Sequence, residues 1–397
     1  MKTLLALPML AAVALYAYTV RLPFFLDDGL LFEMIYTEPG RAFSLNTWRG
    51  LGSFVYYRPI PFAIWEIQQF LLGGGRFDPF ALHLMSVLAL GLAGCVTARL
   101  MRDLSGSWWA GLGAGLLLVG FPFSYNAVMW VSSQSHSFAL LGMALAVYGA
   151  LHWLDRGAYQ ALLVSIMGAF LAIFSHETAL LLTPLIALWV LLRSGWRHLF
   201  TRRMLVLLVL LSLLSAFYLY LYASVYRLRL PFTLYPEFAP GSAALFAQVL
   251  VYPVAALVRR AFQTDADTVG LLGLAAVTLL PLLIATRWRS RRLGGIAVYA
   301  ALWYALMALP TVLLLPTEYV RGSWRLMHIA SLGAALMWTA MFAALLKPPR
   351  TGWRRVGVAV ALVLMAAMVV TSVAFLVQRR GEALRQAVFT WQLQALL

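Results

Sequence analysis

Long apolar runs separated by short charged stretches dominate the chain. With edges set where charge interrupts a run, eleven membrane-length helices are predicted near 4–20, 82–100, 107–123, 136–153, 158–174, 178–193, 204–226, 268–286, 294–315, 326–346 and 356–377. A helix needs ~17–25 largely apolar residues to cross hydrocarbon, and these runs supply them. The expected fold is all-α, a polytopic membrane helix bundle of about 11 spans. Residues 21–81 form the longest stretch without a span. Its apolar pieces at 29–36 and 60–72, broken by Pro39-Gly40 and Gly73-Gly74-Gly75, predict two short juxtamembrane helices on the outer surface. After the last span, Leu384, Ala387, Val388, Trp391 and Ala395 recur at helical spacing, beside Arg379, Arg380 and Arg385. The expected organisation is therefore a transmembrane domain over 1–377 and a short outer amphipathic tail over 378–397.

Composition agrees with the pattern. The chain has 397 residues, 63% apolar and 11% charged, against about 25% charged in soluble domains, which excludes a water-soluble globule. Its one cysteine, Cys95, excludes a disulfide framework or a cysteine-built metal site. The net charge of +16 comes almost wholly from arginine, 28 against 2 lysines. Because those arginines punctuate span ends, they fit membrane-edge anchoring, and no nucleic-acid partner is expected. Basic clusters at Arg99/Arg102, Arg156, Arg193–Arg203, Arg287–Arg292 and Lys347–Arg355 place the N-terminus with Lys2 inside and the C-terminus outside. The apolar run 243–262 would, as a twelfth span, throw the Arg287–Arg292 cluster outside. It is therefore expected to lie flat on the outer surface. Met1-Lys2 before an apolar run resembles a signal peptide, but no polar region follows it and Tyr16 and Tyr18 lead directly into Arg21, so a retained helix is expected. In this topology twelve of the fourteen acids face outward or sit near outer span ends. An outward-facing polar site is one candidate cause of that bias.

The candidate chemistry lies on that side. Asp27-Asp28 is an adjacent carboxylate pair just beyond a span end, which is costly unless the two share a proton, bind a cation or divide their roles. Asp28 suits the cap of the helix beginning at Gly29, which leaves Asp27 available. Arg58, flanked by Tyr56-Tyr57 and followed by Pro59, suits bidentate recognition of a phosphate and equally a snorkelling arginine in an aromatic belt. His176-Glu177 interrupts a long apolar run at headgroup depth, where ionisable groups are expensive and partnered. Ser132-Ser133-Gln134-Ser135-His136 is an uncharged hydrogen-bonding strip, and His83 opens the second span. Arg321 and Arg325, with Trp324 between them and His328 after, offer a second phosphate contact or further belt anchoring. No Walker A, GxGxxG, HExxH or CxxC pattern occurs.

In this order, the landmarks resemble the GT-C superfamily of integral-membrane glycosyltransferases, in particular bacterial relatives of the TPR-tailed transmembrane O-mannosyltransferases. The similarity rests on Asp27-Asp28, on Tyr57-Arg58-Pro59, on Gly73…His83, on Pro122…Ala127-Val128-Met129-Trp130, on His176-Glu177 and on Arg321…Arg325 through Gly333. It departs where the family's His-Pro…Glu segment reads Phe121-Pro122…Asn126 and where His176 replaces a usual lysine. The resemblance implies an inverting transfer of sugar from a polyprenyl-phosphate donor to a hydroxyl on an acceptor glycan, lipid or protein, at the outer face of a bacterial plasma membrane. It casts Asp27 as general base with Asp28 as partner, and Glu177 and His176 as orienting groups. Arg58, Arg325 and Arg321 become candidates for the donor phosphate. Some superfamily members use a divalent metal, which the carboxylates would hold. The alternatives from another class are a non-catalytic scaffold subunit of the same fold and a lipid-linked-sugar transporter.

Overall fold

The computed structural model describes residues 5–25, 28–37, 40, 42–50, 56–71, 77–226, 237, 239–262, 267–347 and 352–396. All regular structure among them is helical. Among the described residues seven helices are long and apolar enough to cross a membrane, nine if each of two bent pairs is one span. Each of the eleven predicted runs coincides with helix, but the count of eleven is not reproduced. Leu7–Arg21, Tyr159–Ile173 and Ser331–Leu345 are shorter apolar helices, and the 15 residues of Tyr159–Ile173 reach only ~22 Å against a ~30 Å hydrocarbon core. The third predicted run is the pair Trp108–Val119 and Pro122–Met129, bent by 44°. Pro122 supplies no N–H and disfavours helical backbone at the residue before it.

Two further expectations are corrected. Residues 243–262 are not one flat helix: Ala239–Leu250 and Tyr252–Phe262 are separate helices, and the pair bends by 96° up to Val258. The bend is enclosed, because Trp338 Nε1 donates to the Leu250 carbonyl (2.9 Å) and Tyr304 Oη to the Phe246 carbonyl (2.8 Å), while Val249, Val251 and Tyr252 are buried. The tail is not a separate element either. One 45-residue helix, Gly352–Leu396, includes both the last span and the predicted tail, with Ala383 and Ala387 packed on Leu22. Residues 21–81 contain helices at both predicted places, Asp28–Thr37 and Pro59–Leu71, and a third, Leu45–Gly50, that the pattern did not reveal.

The chain divides into two compact units. The first comprises residues 1–8, 97–124 and 233–379. Ser331–Leu345 is buried along nearly its whole length there, and the absent side chain of Gly333 lets it approach Arg291–Leu314, since a Cβ would lie 2.6 Å from the Ala300 carbonyl. In the same unit Thr268–Arg289 exposes Val277, Leu280, Ile284 and Trp288. A helix this apolar and this bare is stable only against hydrocarbon, so the protein is an integral membrane protein.

The second unit, residues 9–96, 125–232 and 380–397, is organised by two antiparallel helices, Gln134–Arg156 and Tyr159–Ile173, joined at Gly157 in the left-handed region (φ 71°). Small residues face each other across the pair. A Cβ on Gly142 would lie 2.6 Å from Ala172 N, and one on Gly168 would lie 2.6 Å from Ala146 N. This close approach is the small-residue packing typical of helices in lipid, where dispersion replaces the hydrophobic drive. Ser165 Oγ adds an interhelical hydrogen bond to the Ala146 carbonyl (2.9 Å). At one end of these helices Arg193 pairs with Asp155 (3.1 Å) and Arg203 Nη1 donates to the Leu154 carbonyl (3.2 Å). With basic ends cytoplasmic, a cysteine at position 290 in a chain with Cys95 replaced by alanine is expected to resist an impermeant maleimide in intact cells. Labelling from outside reverses the orientation.

Candidate functional site

The polar groups of the second unit gather at the other end of its helices, where Gln134–Arg156 begins and Tyr159–Ile173 ends. After Ile173 the chain turns at Phe174-Ser175, and His176 is extended (φ −158°, ψ 129°). Its Nδ1 accepts from Thr178 N (3.2 Å), capping the short 3-10 turn Glu177–Leu181. Glu177 is thereby held at the head of the following span. Arg58 arrives from the first loop on a fixed backbone. Tyr218 Oη donates to the Tyr57 carbonyl (2.9 Å), Ile60 N donates to the Phe174 carbonyl (3.2 Å), and Tyr57 is fully buried beside Trp48. Tyr218→Phe is expected to strand that carbonyl and lower stability by about 1–3 kcal/mol, read as thermal unfolding of the detergent-solubilised chain. An unchanged transition shows that Tyr57 is held by packing alone.

Arg58 and Glu177 form a fork: Nε to Oε2 at 2.9 Å and Nη2 to Oε1 at 2.5 Å. The side chains are 16% and 34% exposed. Nη1 reaches Ser135 Oγ (3.4 Å), and the Tyr56 ring centre lies 4.6 Å from the guanidinium carbon. Burial opposes the arginine charge, but the Glu177 charge and its hydrogen bonds outweigh it, and the Arg58 pKa is raised. The Nδ1 of His176 faces the Thr178 N–H, and its Nε2 lies 3.1 Å from Arg58 Nη2. The His136 ring lies 4.5 Å from the His176 ring, centre to centre.

Asp28 joins the same network. It opens the helix Asp28–Thr37 and is fully buried. Its Oδ2 accepts from Phe25 N (2.9 Å), and its Oδ1 accepts from both Ser132 N (2.8 Å) and the Ser132 hydroxyl. Ser132 therefore meets Asp28 while Ser135, three residues on, meets Arg58. Between them Gln134 accepts from Trp65 Nε1 (2.8 Å) and donates to the Leu82 carbonyl. The uncharged strip 132–136 is the frame to which the charged groups attach. Sequence reasoning noted the strip without assigning its serines or His136 to the site, because hydroxyls and a lone histidine occur as often where helices merely pack.

No family model matches the chain, and no curated protein does. Among solved structures it is similar to the oligosaccharyltransferase AglB of Archaeoglobus fulgidus, in complex with an inhibitory peptide and a dolichol-phosphate. That match has TM-score 0.46 and 13% identity, covering 94% of this chain and 55% of that one. It is also similar to the arabinosyltransferase EmbB of Mycobacterium smegmatis, at TM-score 0.43 and 14% identity, covering 96% of this chain and 40% of that one. The chain thus spans about half the length of these structures. At this level of similarity neither structure assigns a role to any residue here.

The predicted residues separate as follows. Asp28, Arg58, His176 and Glu177 share one network, whereas Asp27 lies outside the described residues. Arg58, expected at a phosphate, is paired with Glu177. Arg321 and Arg325 belong to the other unit. There Arg325 donates to Tyr319 Oη (2.8 Å), and Arg321 is exposed in the last turn of Thr317–Gly322. The segment that carries them meets the Pro122 segment in that unit: the Trp324 and Phe123 ring centres lie 5.0 Å apart, and His328 Nδ1 lies 2.9 Å from Ser124 Oγ. His83 is buried within Pro79–Ser105. No group of three His, Cys, Asp or Glu among the described residues is placed to hold a metal ion. Both oxygens of Asp28 accept from N–H and O–H donors of the protein.

Proposed function

We propose that the chain is a membrane glycosyltransferase of the GT-C kind, moving a sugar from a polyprenyl-phosphate donor to an acceptor hydroxyl at the outer face. The observation that carries this reading is the Arg58–Glu177 fork, partly open at the head of an apolar span and tied through one polar strip to Asp28. A lipid phosphate approaches such a place along the helices, and a polar acceptor approaches from water. The chemistry is a single displacement. The acceptor oxygen attacks the anomeric carbon, the bond to the lipid phosphate breaks, and configuration inverts. Asp27 takes the hydroxyl proton, as general bases do for ~10²–10⁴-fold acceleration. Asp28, the next residue, is held fully buried by Phe25 N and Ser132. Arg58 stabilises the departing phosphate by exchanging the Glu177 carboxylate for a phosphate oxygen, a swap of one bidentate anion for another. Glu177, once released, orients the acceptor.

The completeness of the Arg58–Glu177 pairing and the full burial of Asp28 favour one second reading, a non-catalytic scaffold that keeps these contacts for structure. Purified chain in proteoliposomes with a radiolabelled polyprenyl-phosphate sugar separates the two. An enzyme releases polyprenyl phosphate and forms a product of inverted anomeric configuration by NMR. Intact donor across a panel of hydroxyl acceptors supports the scaffold, and label moved into the lumen unchanged supports a transporter.

A further inference from the structure

The unit containing residues 97–124 and 233–379 holds a cavity of about 860 Å³, lined by none of the residues placed in the candidate site. Its walls are apolar side chains of four helices, including Leu116, Leu293, Phe342 and Met368. Along Trp108–Val119 the lining runs from Trp109 to Leu117, roughly 12 Å at the α-helical rise. One end is polar. Ser105, Ser107, Ser290, Arg292 and Lys347 line it, and no acidic side chain does. Arg292 Nε and Nη2 donate to the carbonyls of Leu104 (2.5 Å) and Asp103 (3.1 Å), which fix the guanidinium without neutralising it. The neighbouring Asp103 carboxylate is held by Arg102 (2.5 Å). Lys347 is exposed.

We propose that this cavity binds one anionic glycerophospholipid, with its phosphate at the Arg292 and Lys347 rim and its acyl chains along the apolar walls. The walls provide no hydrogen bonds and suit hydrocarbon, and the volume lies within the range of small-molecule sites. The rim offers two cations and three hydroxyls with no competing acid, which favours a net negative head group over a zwitterion carrying its own ammonium. The basic clusters read as cytoplasmic place this rim in the leaflet where anionic lipids attract juxtamembrane cations.

The test is native mass spectrometry of the full chain in detergent, incubated with equimolar dioleoylphosphatidylglycerol and dioleoylphosphatidylcholine. One retained phosphatidylglycerol is expected, preferred by roughly tenfold or more, since each juxtamembrane cation contributes on the order of fivefold. Lys347→Gln is expected to cut that preference by about fivefold. Gly113→Leu fills the cavity from its wall, entering at ordinary contact 3.6 Å from Thr339 Cγ2, and is expected to lose the lipid with an unchanged unfolding temperature. Should that variant unfold, Lys347→Gln at the exposed rim still decides the matter. Equal retention of the two lipids by the wild type, or undiminished preference in Lys347→Gln, overturns the proposal. So does displacement by millimolar inorganic phosphate, which marks a soluble-anion site, or by equimolar polyprenyl phosphate, which marks a donor-lipid site.

Discussion

Replacing Glu177 by alanine is expected to destabilise the protein by roughly 2 kcal/mol, well above the 0–1 kcal/mol of an ordinary surface pair. The reason is the position of Arg58. Its side chain is 16% exposed, and Glu177 accepts two of its N–H groups in parallel, so removing the carboxylate leaves a guanidinium largely out of water. Breaking a fully buried pair costs about 3–5 kcal/mol, and the 34% exposure of Glu177 brings the figure down. Arg58→Ala is expected to cost about as much, and the double variant less than the sum, with a coupling of about 1–2 kcal/mol in a double-mutant cycle. Arg58→Lys keeps a charge but not the fork, and is expected to recover less than half of the loss. Thermal unfolding of the wild type and these four variants in one detergent measures this. An additive cycle shows that the fork contributes nothing as a pair.

Gly142→Leu is expected to be more damaging, at about 3 kcal/mol or more, the upper range of overpacking. The first added carbon would already lie 2.6 Å from both Ala172 N and the Gly168 carbonyl. Both are backbone atoms, so no rotamer change relieves the overlap and the helices must part. Parting them also separates Ser135 and His136, at the start of one helix, from His176 and Glu177, just past the end of the other. The variant should therefore lose the site together with stability. Gly273→Ala is the control, since a Cβ there meets nothing within 4 Å; its unfolding temperature is expected to match the wild type. Equal stability of all three chains contradicts the packing described.

The spans were legible because hydrocarbon imposes a length and composition that local sequence records directly. Their interruptions were only partly so. Pro122 announces a bend, whereas the break at Val251 depends on Trp338 and Tyr304 reaching the carbonyls of Leu250 and Phe246 from distant helices. The continuity of Gly352–Leu396 was hidden because Arg379 and Arg380 read as the end of a span, while the backbone simply continues through them. In the site, His176-Glu177 stood out as charge at a depth where charge is costly. Its partner did not, because Arg58 lies 119 residues away and an arginine among tyrosines suits a lipid head group equally well. Ser132 and Ser135 gave no signal of their own. Their importance lies in geometry, one facing Asp28 and the other Arg58 from adjacent turns.

The most direct measurement on the catalytic reading is single-turnover transfer of labelled sugar from a polyprenyl-phosphate donor in proteoliposomes. It compares the wild type with Asp27→Asn and Glu177→Gln, each chain normalised to its folded fraction. A general base at Asp27 predicts at least about a hundredfold loss in Asp27→Asn with an unchanged unfolding temperature. Glu177→Gln is predicted to lose rate and stability together. Near-wild-type transfer by a well-folded Asp27→Asn chain would contradict the assignment of the base, and no transfer by a well-folded wild type would leave the Arg58–Glu177 fork a structural contact.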